Sequence, residues 1–269
     1  MRLCFGVPFI LPLIRYDVAR PAVGSSPAYL QSIGYKCPTS ITDAAFQYAH
    51  QTQAPFWQWV AERPPYPEYF NHYMTGYRLG KASWLDQGFY PFQDRIVSEF
   101  EPNNEVLLVD VGGGLGHDLL SIKEKQDNVP GKLILQDLPG VIAKVATTTA
   151  FESMAHDFFT PQPVTNARAY YLHSVLHDWN NEDCCKILRQ LTPSMKKGYS
   201  KVLINELVVP DVGAPWGTTS LDWLMMSIAS ARERTEKEWR ELLSEAGLNV
   251  VSIFTYEPGT ESIIEAELA

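Results

Sequence analysis

The feature that most constrains the fold is the segment Val106 to Leu120, which reads VLLVDVGGGLGHDLL. Its apolar start predicts a buried strand with Asp110 at the end, and three glycines then follow in a G-x-G-x-G pattern, at Gly112, Gly114 and Gly116. Glycine lets a backbone turn sharply and approach a ligand where a Cβ would stand in the way. The segment therefore predicts a strand, a ligand-binding turn and a following helix.

Two details narrow the ligand. A dinucleotide fingerprint has Gly or Ala three residues after its second glycine, where this chain has His117. A nicotinamide or flavin site is therefore disfavoured. The next predicted strand ends in Asp137, about twenty residues beyond the loop, where a carboxylate can accept both hydroxyls of a ribose. Glycine turns are common after strands for structural reasons alone, but the loop, Asp110 and Asp137 together favour an adenosyl ligand.

Downstream of residue 100 the chain alternates strand patterns with helix patterns. Strands are predicted in KLILQD, before AHDFF, in RAYYLHS and in SKVLINELVVP, and NVVSIFTY with ESIIEAEL reads as a closing hairpin. Helices are predicted near Val141, in NEDCCKILRQLTPSM with Asn180 or Asn181 as N-cap, and from Thr235 to a stop at Gly247. The alternation predicts an α/β fold with a mostly parallel sheet and an antiparallel C-terminal hairpin.

The zone from Pro27 to Phe100 has a different composition, which is rich in aromatic residues and prolines. Helical spacing recurs in DAAFQYAHQTQAPFWQWVAERP, and Phe70, Met74 and Tyr77 stand three and four residues apart. This zone is therefore predicted to be helical. The change in composition and pattern near residue 100 predicts two regions, residues 1–99 and residues 100–269.

Composition argues against several classes of partner. The chain has 269 residues, 45% of them hydrophobic, and its 31 acidic and 22 basic residues give a formal charge of −9. Nucleic acid and anionic membranes are therefore disfavoured as partners. The four cysteines lack metal-ligand spacing, which favours a reduced, cytoplasmic protein.

The N-terminal apolar run, Phe5 to Ile14, is interrupted by Pro8 and Pro12 and is too short to span a bilayer. A signal peptide is one interpretation, since Arg2 precedes the run, although no convincing small-residue cleavage site follows it. The alternative is a peripheral segment that packs on the core.

Two histidines, His173 and His177, stand four residues apart in YYLHSVLHDW. On a helix they would share one face, as paired metal ligands often do. The segment AYYLHS reads instead as a strand, in which their Cα atoms would be roughly 13 Å apart. No cysteine or third histidine stands nearby. No metal site is therefore predicted.

An ordered series of motifs from residue 100 to the end resembles one known family. They are LVDVGGGLGHDLL, LQDLPGVI, HDFF, YYLHSVLHDWNNEDCCKIL, LINELVVP, LDWLMMS and ERTEKEWRELLSEAGL. The family is the class I S-adenosylmethionine-dependent O-methyltransferases, in the branch of plant caffeate-type and fungal secondary-metabolite enzymes. The upstream region from FWQWVAERP to GKASWL resembles the family's helical substrate domain.

The resemblance implies a Rossmann-like methyltransferase fold preceded by a partial helical domain. It also implies S-adenosyl-L-methionine as the cofactor and a hydroxyl of an aromatic or polyketide-type metabolite as the methyl acceptor. Residues 100–269 would form the cofactor-binding domain. Family members usually begin with a winged-helix dimerisation region that this chain does not contain, so residues 1–99 would be a partial substrate and dimerisation region, and a homodimer is possible but doubtful.

The same resemblance implies that His177 is the general base and that Glu206 and Glu233 orient it. A positioned imidazole suits the reaction, because a phenol with a pKa near 10 is mostly protonated at neutral pH. A carboxylate beside the ring holds its tautomer and stabilises the imidazolium. Plainer interpretations stay open: a structural histidine, a solvated acid at a strand end for Glu206, and a helix-capping or surface charge for Glu233.

Cofactor contacts are implied for residues of the loop and of later strands, namely Asp110, Gly112, Gly114, Gly116, Asp137, Leu138, Asp157, Phe158 and His173. Asp157 would accept from the adenine amino group and Phe158 would pack on its face, although a plain loop with a buried phenylalanine would look the same. His173 replaces a lysine of plant relatives, and its role stays open.

Four residues resemble those that line the family's acceptor pocket: Phe70, Met74, Asp222 and Met225. Methionines and aromatic residues at helical spacing serve as core at least as often. Two other functions also stay open. One is a cofactor-binding pericyclase or isomerase on the same scaffold, which would not require the base; the other is an inactive truncated homologue.

Overall fold

The computed structural model describes residues 14–77, 80–101, 103–126 and 128–269. Its contacts divide the chain into two compact units, each discontinuous in sequence. Of the described residues, the helical unit contains those up to Lys81, His177–Asn180 and Pro215–Glu233, and the sheet unit contains those within Ala82–Leu176, Asn181–Ala214 and Arg234–Ala269. The N-terminal run, predicted as a peripheral segment or a signal peptide, lies almost entirely outside the described residues. The functional division at residue 100 stays a prediction.

The α-helices lie in both units. They are α1 (Arg20–Ser32), α2 (Ala45–His50), α3 (Phe56–Ala61), α4 (Tyr66–Tyr77), α5 (His117–Lys125), α6 (Pro139–Ile142), α7 (Asn181–Leu191), α8 (Trp216–Ala229) and α9 (Glu236–Glu245). Helices α1 to α4 and α8 belong to the helical unit. Two π-helical segments, Ile14–Ala19 and Gln93–Val97, and two 3-10 turns, Leu176–Asp178 and Thr192–Ser194, complete the helical structure of the described residues.

The helical unit has an aromatic core. The fully buried Phe46 ring meets Phe56 edge-on at 5.3 Å and Trp59 at 5.5 Å between centroids. Such pairs contribute about 0.5–1.5 kcal/mol each beyond the area they bury. The predicted helical zone is confirmed, but Gln51, with a left-handed φ of 49°, ends α2 and Pro55 starts α3, so the aromatic pattern lies on two short helices.

The sheet unit contains all the strands of the described residues. They are β1 (Val106–Val111), β2 (Lys132–Asp137), β3 (Glu152–Ala155), β4 (Ala169–His173), β5 (Lys201–Val209), β6 (Arg234–Thr235), β7 (Leu248–Thr255) and β8 (Glu261–Leu268). Their order in the sheet is β3-β2-β1-β4-β5-β8-β7, and β6 pairs with β5.

The strand directions confirm the predicted sheet. Pairings from β3 to β5 are parallel, as is that of β6 with β5, while β8 pairs antiparallel with both β5 and β7. The chain leaves β1 first towards β2 and β3 and then returns to its other side as β4. In open parallel sheets, ligands bind beyond the carboxyl ends of the strands at this point of reversal.

The sequence also determines where individual helices begin and end. Gly116, with φ of 81°, is the residue before α5. Helix α9 starts with a capping box, in which the Thr235 hydroxyl accepts the Glu238 N–H at 3.3 Å and the Glu238 carboxylate accepts the Thr235 N–H at 2.9 Å. Gly247, with φ of 81°, follows its last turn. The predicted bounds of α9 are therefore confirmed.

Two elements carry no clear sequence signal. Helix α8 is mostly apolar and has no amphipathic spacing, and β6 has only two residues.

Cys37, Cys184 and Cys185 are free thiols, and Cys4 lies outside the described residues. Within the described part of the chain, we find no helix with the length and apolar character that crossing a membrane requires.

Candidate functional site

The glycine loop joins β1 to α5 at the reversal point of the sheet. Gly112, Gly114 and Gly116 all have left-handed φ angles, of 74°, 62° and 81°. A Cβ on Gly116 would lie 2.5 Å from the Phe151 ring, whereas a Cβ on Gly114 would meet nothing within 4 Å. Gly116 is therefore required by packing, and Gly114 leaves open space beside the backbone.

Asp110 lies beneath this loop and is fully buried. A Cβ on Gly113 would stand 2.3 Å from its carboxylate and 2.6 Å from Leu135. Gly113, a fourth glycine of the loop that the spacing pattern did not single out, is thus also required by packing. The predicted cofactor contact of Asp110 stays a prediction.

Asp137, the last residue of β2, binds the loop through its side chain. Its Oδ2 accepts the Gly114 N–H at 2.9 Å and its Oδ1 accepts the Leu138 N–H at 2.7 Å. Burial raises the pKa of Asp137 above its ordinary value, and these two backbone hydrogen bonds only partly oppose the shift. Asp137 and Gly114, both predicted cofactor residues, are therefore in direct contact, and Leu138 beside them is half exposed.

Asp157 and Phe158 follow β3. The Asp157 Oδ1 accepts the Phe159 N–H at 2.9 Å, so the carboxylate stabilises its own turn, and the side chain is exposed. The Phe158 ring is half-buried, and a Cβ on Gly112 would approach it to 3.5 Å. The structure thus brings Phe158 to the glycine loop.

His173 ends β4, which confirms the strand predicted there. Its Nδ1 lies 2.9 Å from Asp118 Oδ2 and its Nε2 lies 3.4 Å from Glu261 Oε2. All three side chains are largely buried, and both carboxylates were missed by sequence reasoning. His173 is therefore attached to α5, the helix that begins at the glycine loop, and to β8.

Glu206 lies inside β5 and is buried, with only 1% of its surface exposed, so its interpretation as a solvated acid at a strand end is wrong. The strand continues past it because β8 pairs with it there and β6 pairs with its last residues. Its Oε1 accepts the N–H groups of Val175 and Leu176, at 2.9 and 2.8 Å. Glu206 therefore binds the backbone that precedes His177, and its role on the imidazole stays a prediction.

His177 and Glu233 meet in the helical unit, 56 residues apart in sequence. The distance from His177 Nδ1 to Glu233 Oε1 is 2.8 Å, and the Glu233 side chain is fully buried. Glu233 is thus neither a surface charge nor the cap of α9, which is Thr235. His177 Nε2 lies 3.6 Å from the Asp178 carboxylate.

The predicted acceptor-pocket residues lie in the same unit. Asp222 of α8 accepts the Glu233 N–H at 2.9 Å and so holds the partner of His177. Met225 is buried in the apolar core, Phe70 packs edge-on against Trp57 at 4.9 Å, and Met74 is half-buried. Packing accounts for Phe70 and Met225 as they stand, and contact of any of the four with an acceptor stays a prediction.

The sequence of this chain is similar to those of known proteins. A family model described as an O-methyltransferase domain matches residues 92–249, which is more than half of the chain. The chain belongs to this O-methyltransferase family. The family predicted from the ordered motifs is thereby confirmed.

Individual relatives extend the match upstream. The chain is 47% identical over 258 residues to O-methyltransferase mpaG of Penicillium brevicompactum, covering 94% of this chain and 65% of that protein. It therefore spans about two thirds of the length of such relatives. Among solved structures, the LepI complex with SAM matches with a TM-score of 0.87 at 31% identity, covering 95% of this chain and 66% of LepI. A structure described as a pericyclic reaction enzyme matches with a TM-score of 0.88, also at 31% identity and with the same coverage.

Proposed function

We propose that this chain is the catalytic part of an S-adenosylmethionine-dependent O-methyltransferase that acts on a hydroxyl of an aromatic or polyketide-type secondary metabolite. The observation that carries the proposal is the His177–Glu233 pair at 2.8 Å, in a chain that belongs to the O-methyltransferase family. The acceptor is a small molecule. A cytoplasmic location and a homodimer are further hypotheses, and light scattering of the purified chain tests the second.

The sheet unit offers residues that fit the cofactor. The open space beside Gly114 and the Asp137 carboxylate bound to its N–H lie at the reversal point of the sheet, where an adenosyl group would be held. Phe158 would pack on the adenine, and Asp157 would accept from its amino group. S-adenosylmethionine supplies the electrophilic methyl group when it is bound.

The helical unit offers the proton acceptor. An ionised carboxylate can only accept, so Glu233 places the ring proton of His177 on Nδ1 and leaves the Nε2 lone pair to take the proton of the acceptor hydroxyl. His177 Nε2 would hold the hydroxyl proton of the acceptor, while the methyl group supplied by the bound donor would pass to the acceptor oxygen and leave S-adenosylhomocysteine behind. Among the described residues, Glu233 Oε2 is buried without a hydrogen-bond partner, so the imidazolium would offset a poorly compensated charge.

The test incubates the purified chain with S-adenosylmethionine and a panel of phenolic and polyketide acceptors, with mass spectrometry of the products. We expect a product heavier by one methyl group and a loss of at least about a hundredfold in kcat for His177→Gln, which keeps a polar side chain without a base. His72→Gln is the control, because His72 is a partly exposed histidine of the same unit, paired with Glu68. Methylation that survives His177→Gln would contradict the role of the base.

A pericyclic or isomerisation reaction is the second candidate, since a pericyclic reaction enzyme shares the fold at 31% identity. It predicts a product with the mass of the substrate, no consumption of the methyl donor and no requirement for His177. Cofactor binding without either type of product would instead favour an inactive homologue.

A further inference from the structure

The backbone between β4 and His177 is held at every residue. Ser174 has a left-handed φ of 52°, a strained conformation for a residue other than glycine, which persists only where neighbouring contacts hold it. Its N–H donates to the Asn205 carbonyl at 3.2 Å. The next two N–H groups, of Val175 and Leu176, both donate to Glu206 Oε1.

The carbonyl of Leu176 completes this set of contacts. It accepts from Arg234 Nη1 at 3.0 Å and from the Cys184 thiol at 3.1 Å. Burial raises the pKa of Cys184 to about 12, so the thiol keeps its proton at neutral pH and serves as a donor. This carbonyl belongs to the peptide bond that joins Leu176 to His177.

Arg234 is itself held in one orientation. It is fully buried, its Nε and Nη2 both donate to Asn181 Oδ1 at 3.0 Å, and its guanidinium lies 5.2 Å from the centre of the Trp239 ring. Its backbone pairs with Val208 in the β5–β6 ladder. A planar fork with several donors can make these contacts together, whereas the point charge of a lysine cannot.

We propose that Arg234 is a positioning residue for the general base. It fixes the Leu176 carbonyl, Glu206 fixes the two preceding N–H groups, and together they set the direction in which the chain presents His177. Glu233, the neighbour of Arg234 in sequence, then binds the imidazole. The inference rests on the proposed function, because it assigns Arg234 a part in methyl transfer without contact to substrate or cofactor.

The first test measures turnover in Arg234→Lys and Arg234→Gln. If Arg234 positions His177, kcat falls by at least about tenfold in both, since small misplacements of a catalytic group are costly. The affinity for S-adenosylhomocysteine and the KM of the acceptor stay unchanged. Arg168→Lys is the matched control: Arg168 is also buried in the sheet unit, but it lies before the amino end of β4 and binds the Tyr199 carbonyl and the Glu99 carboxylate. It should lower the melting temperature and leave kcat per cofactor-binding site unchanged.

A second pair of variants covers the case in which Arg234 variants fail to fold. Asn181→Ala removes the acceptor that orients the guanidinium, and Asn181→Asp restores it with a carboxylate. We expect kcat to fall in the first and to be rescued in the second. A wild-type kcat in both Arg234→Lys and Asn181→Ala, or a kcat that falls only in parallel with cofactor binding, would overturn the proposal.

A third readout does not depend on turnover. The hydrogen-bonded ring proton of His177 should give a low-field proton NMR resonance, assigned by its loss in His177→Gln. We expect this resonance to shift or broaden in Arg234→Lys and to persist in Arg168→Lys; an unchanged resonance in Arg234→Lys would count against positioning. If the resonance depends on Arg234 but no acceptor is methylated, the positioning contact stands and the proposed function fails.

Discussion

Asp137 should make the binding of an adenosyl ligand depend on pH. Burial raises the pKa of Asp137, so this carboxyl takes up its proton at a higher pH than an exposed aspartate does. The ionised form is the better acceptor for ribose hydroxyls. Affinity for S-adenosylhomocysteine should therefore be constant near neutral pH and fall as the pH drops through the raised pKa of Asp137. Calorimetry from about pH 7.5 to about pH 4.5 measures this change.

The matching variant is Asp137→Asn, which keeps one oxygen and removes the titrating group. Its affinity should be weaker by about tenfold, the usual cost of losing a charge-assisted hydrogen bond, and should no longer depend on pH in this range. Asp86→Asn serves as the control, because a hydrogen bond from Lys125 lowers the pKa of the exposed Asp86 carboxyl. A pH profile that survives Asp137→Asn would assign the dependence to another group.

Alanine substitutions at the glycines of the loop should distinguish a role in packing from a role in ligand binding. Gly116→Ala places a methyl group 2.5 Å from the Phe151 ring and should destabilise the fold by about 1–3 kcal/mol. Gly114→Ala meets no protein atom within 4 Å, so its cost to stability should be only the backbone strain, about 1 kcal/mol, while ligand affinity falls. Gly198→Ala controls for strain, since Gly198 also has a left-handed φ and open space. Thermal melts and calorimetry of the three variants decide between these effects.

Strand β8 carries a buried charge cluster that should make the fold sensitive to acid. The fully buried Glu265 accepts from Arg95 at 2.6 and 2.7 Å, from Lys201 at 2.6 Å and from the Tyr90 hydroxyl at 2.9 Å. Burial alone would raise the pKa of Glu265, but the hydrogen bonds from Arg95 and Lys201 outweigh it and hold the pKa below its ordinary value. A lowered pKa in the folded state stabilises the fold above the unfolded pKa of about 4.3, and this contribution is lost as the pH falls through the folded pKa.

Glu265→Gln should therefore lower the free energy of unfolding by about 3 kcal/mol at pH 7, because it leaves the partly buried Arg95 and Lys201 without their partner. Urea denaturation measures the difference between variant and wild type. The difference should shrink as the pH falls below the unfolded pKa of about 4.3 and then through the lowered folded pKa of Glu265. A constant difference across that range would show that the cluster stabilises the fold through packing rather than charge.

Elements with a clear hydrophobic period were predictable from the sequence, and those without one were not. The strands β1, β2, β4 and β5 and the helix α9 follow apolar runs or caps that can be read locally. Helix α8 buries the polar Thr218 and Ser227 together with apolar residues, so its sequence defines no clear apolar face, and Pro215 stands at its N-cap. The two residues of β6 form a strand only because β5 offers an edge at Val208 and Val209.

The division into units could not be read from local patterns, because each unit is assembled from separate stretches of chain. For the same reason, residue types alone did not pair His177 with Glu233, which lies 56 residues away; the family resemblance did. Asp118, Glu261 and Arg234 were missed because a charged residue in a sequence looks exposed until the fold shows it buried. The chain spans 65% of the length of mpaG, so assays on it measure what this part of such a protein can do.

The contacts of Leu176 with Arg234 and of His177 with Glu233 also set a rule for chain length. Leu176 and His177 are consecutive in sequence, and so are Glu233 and Arg234. An added residue at either peptide bond therefore cannot be absorbed without disturbing one of the two contacts. Insertion of one alanine after Leu176 or after Glu233 would rotate or displace one partner of the histidine pair, whereas insertion in the exposed segment at Val212 and Gly213 should be tolerated. Natural variation in length among related enzymes is accordingly expected in such loops and not at these two peptide bonds.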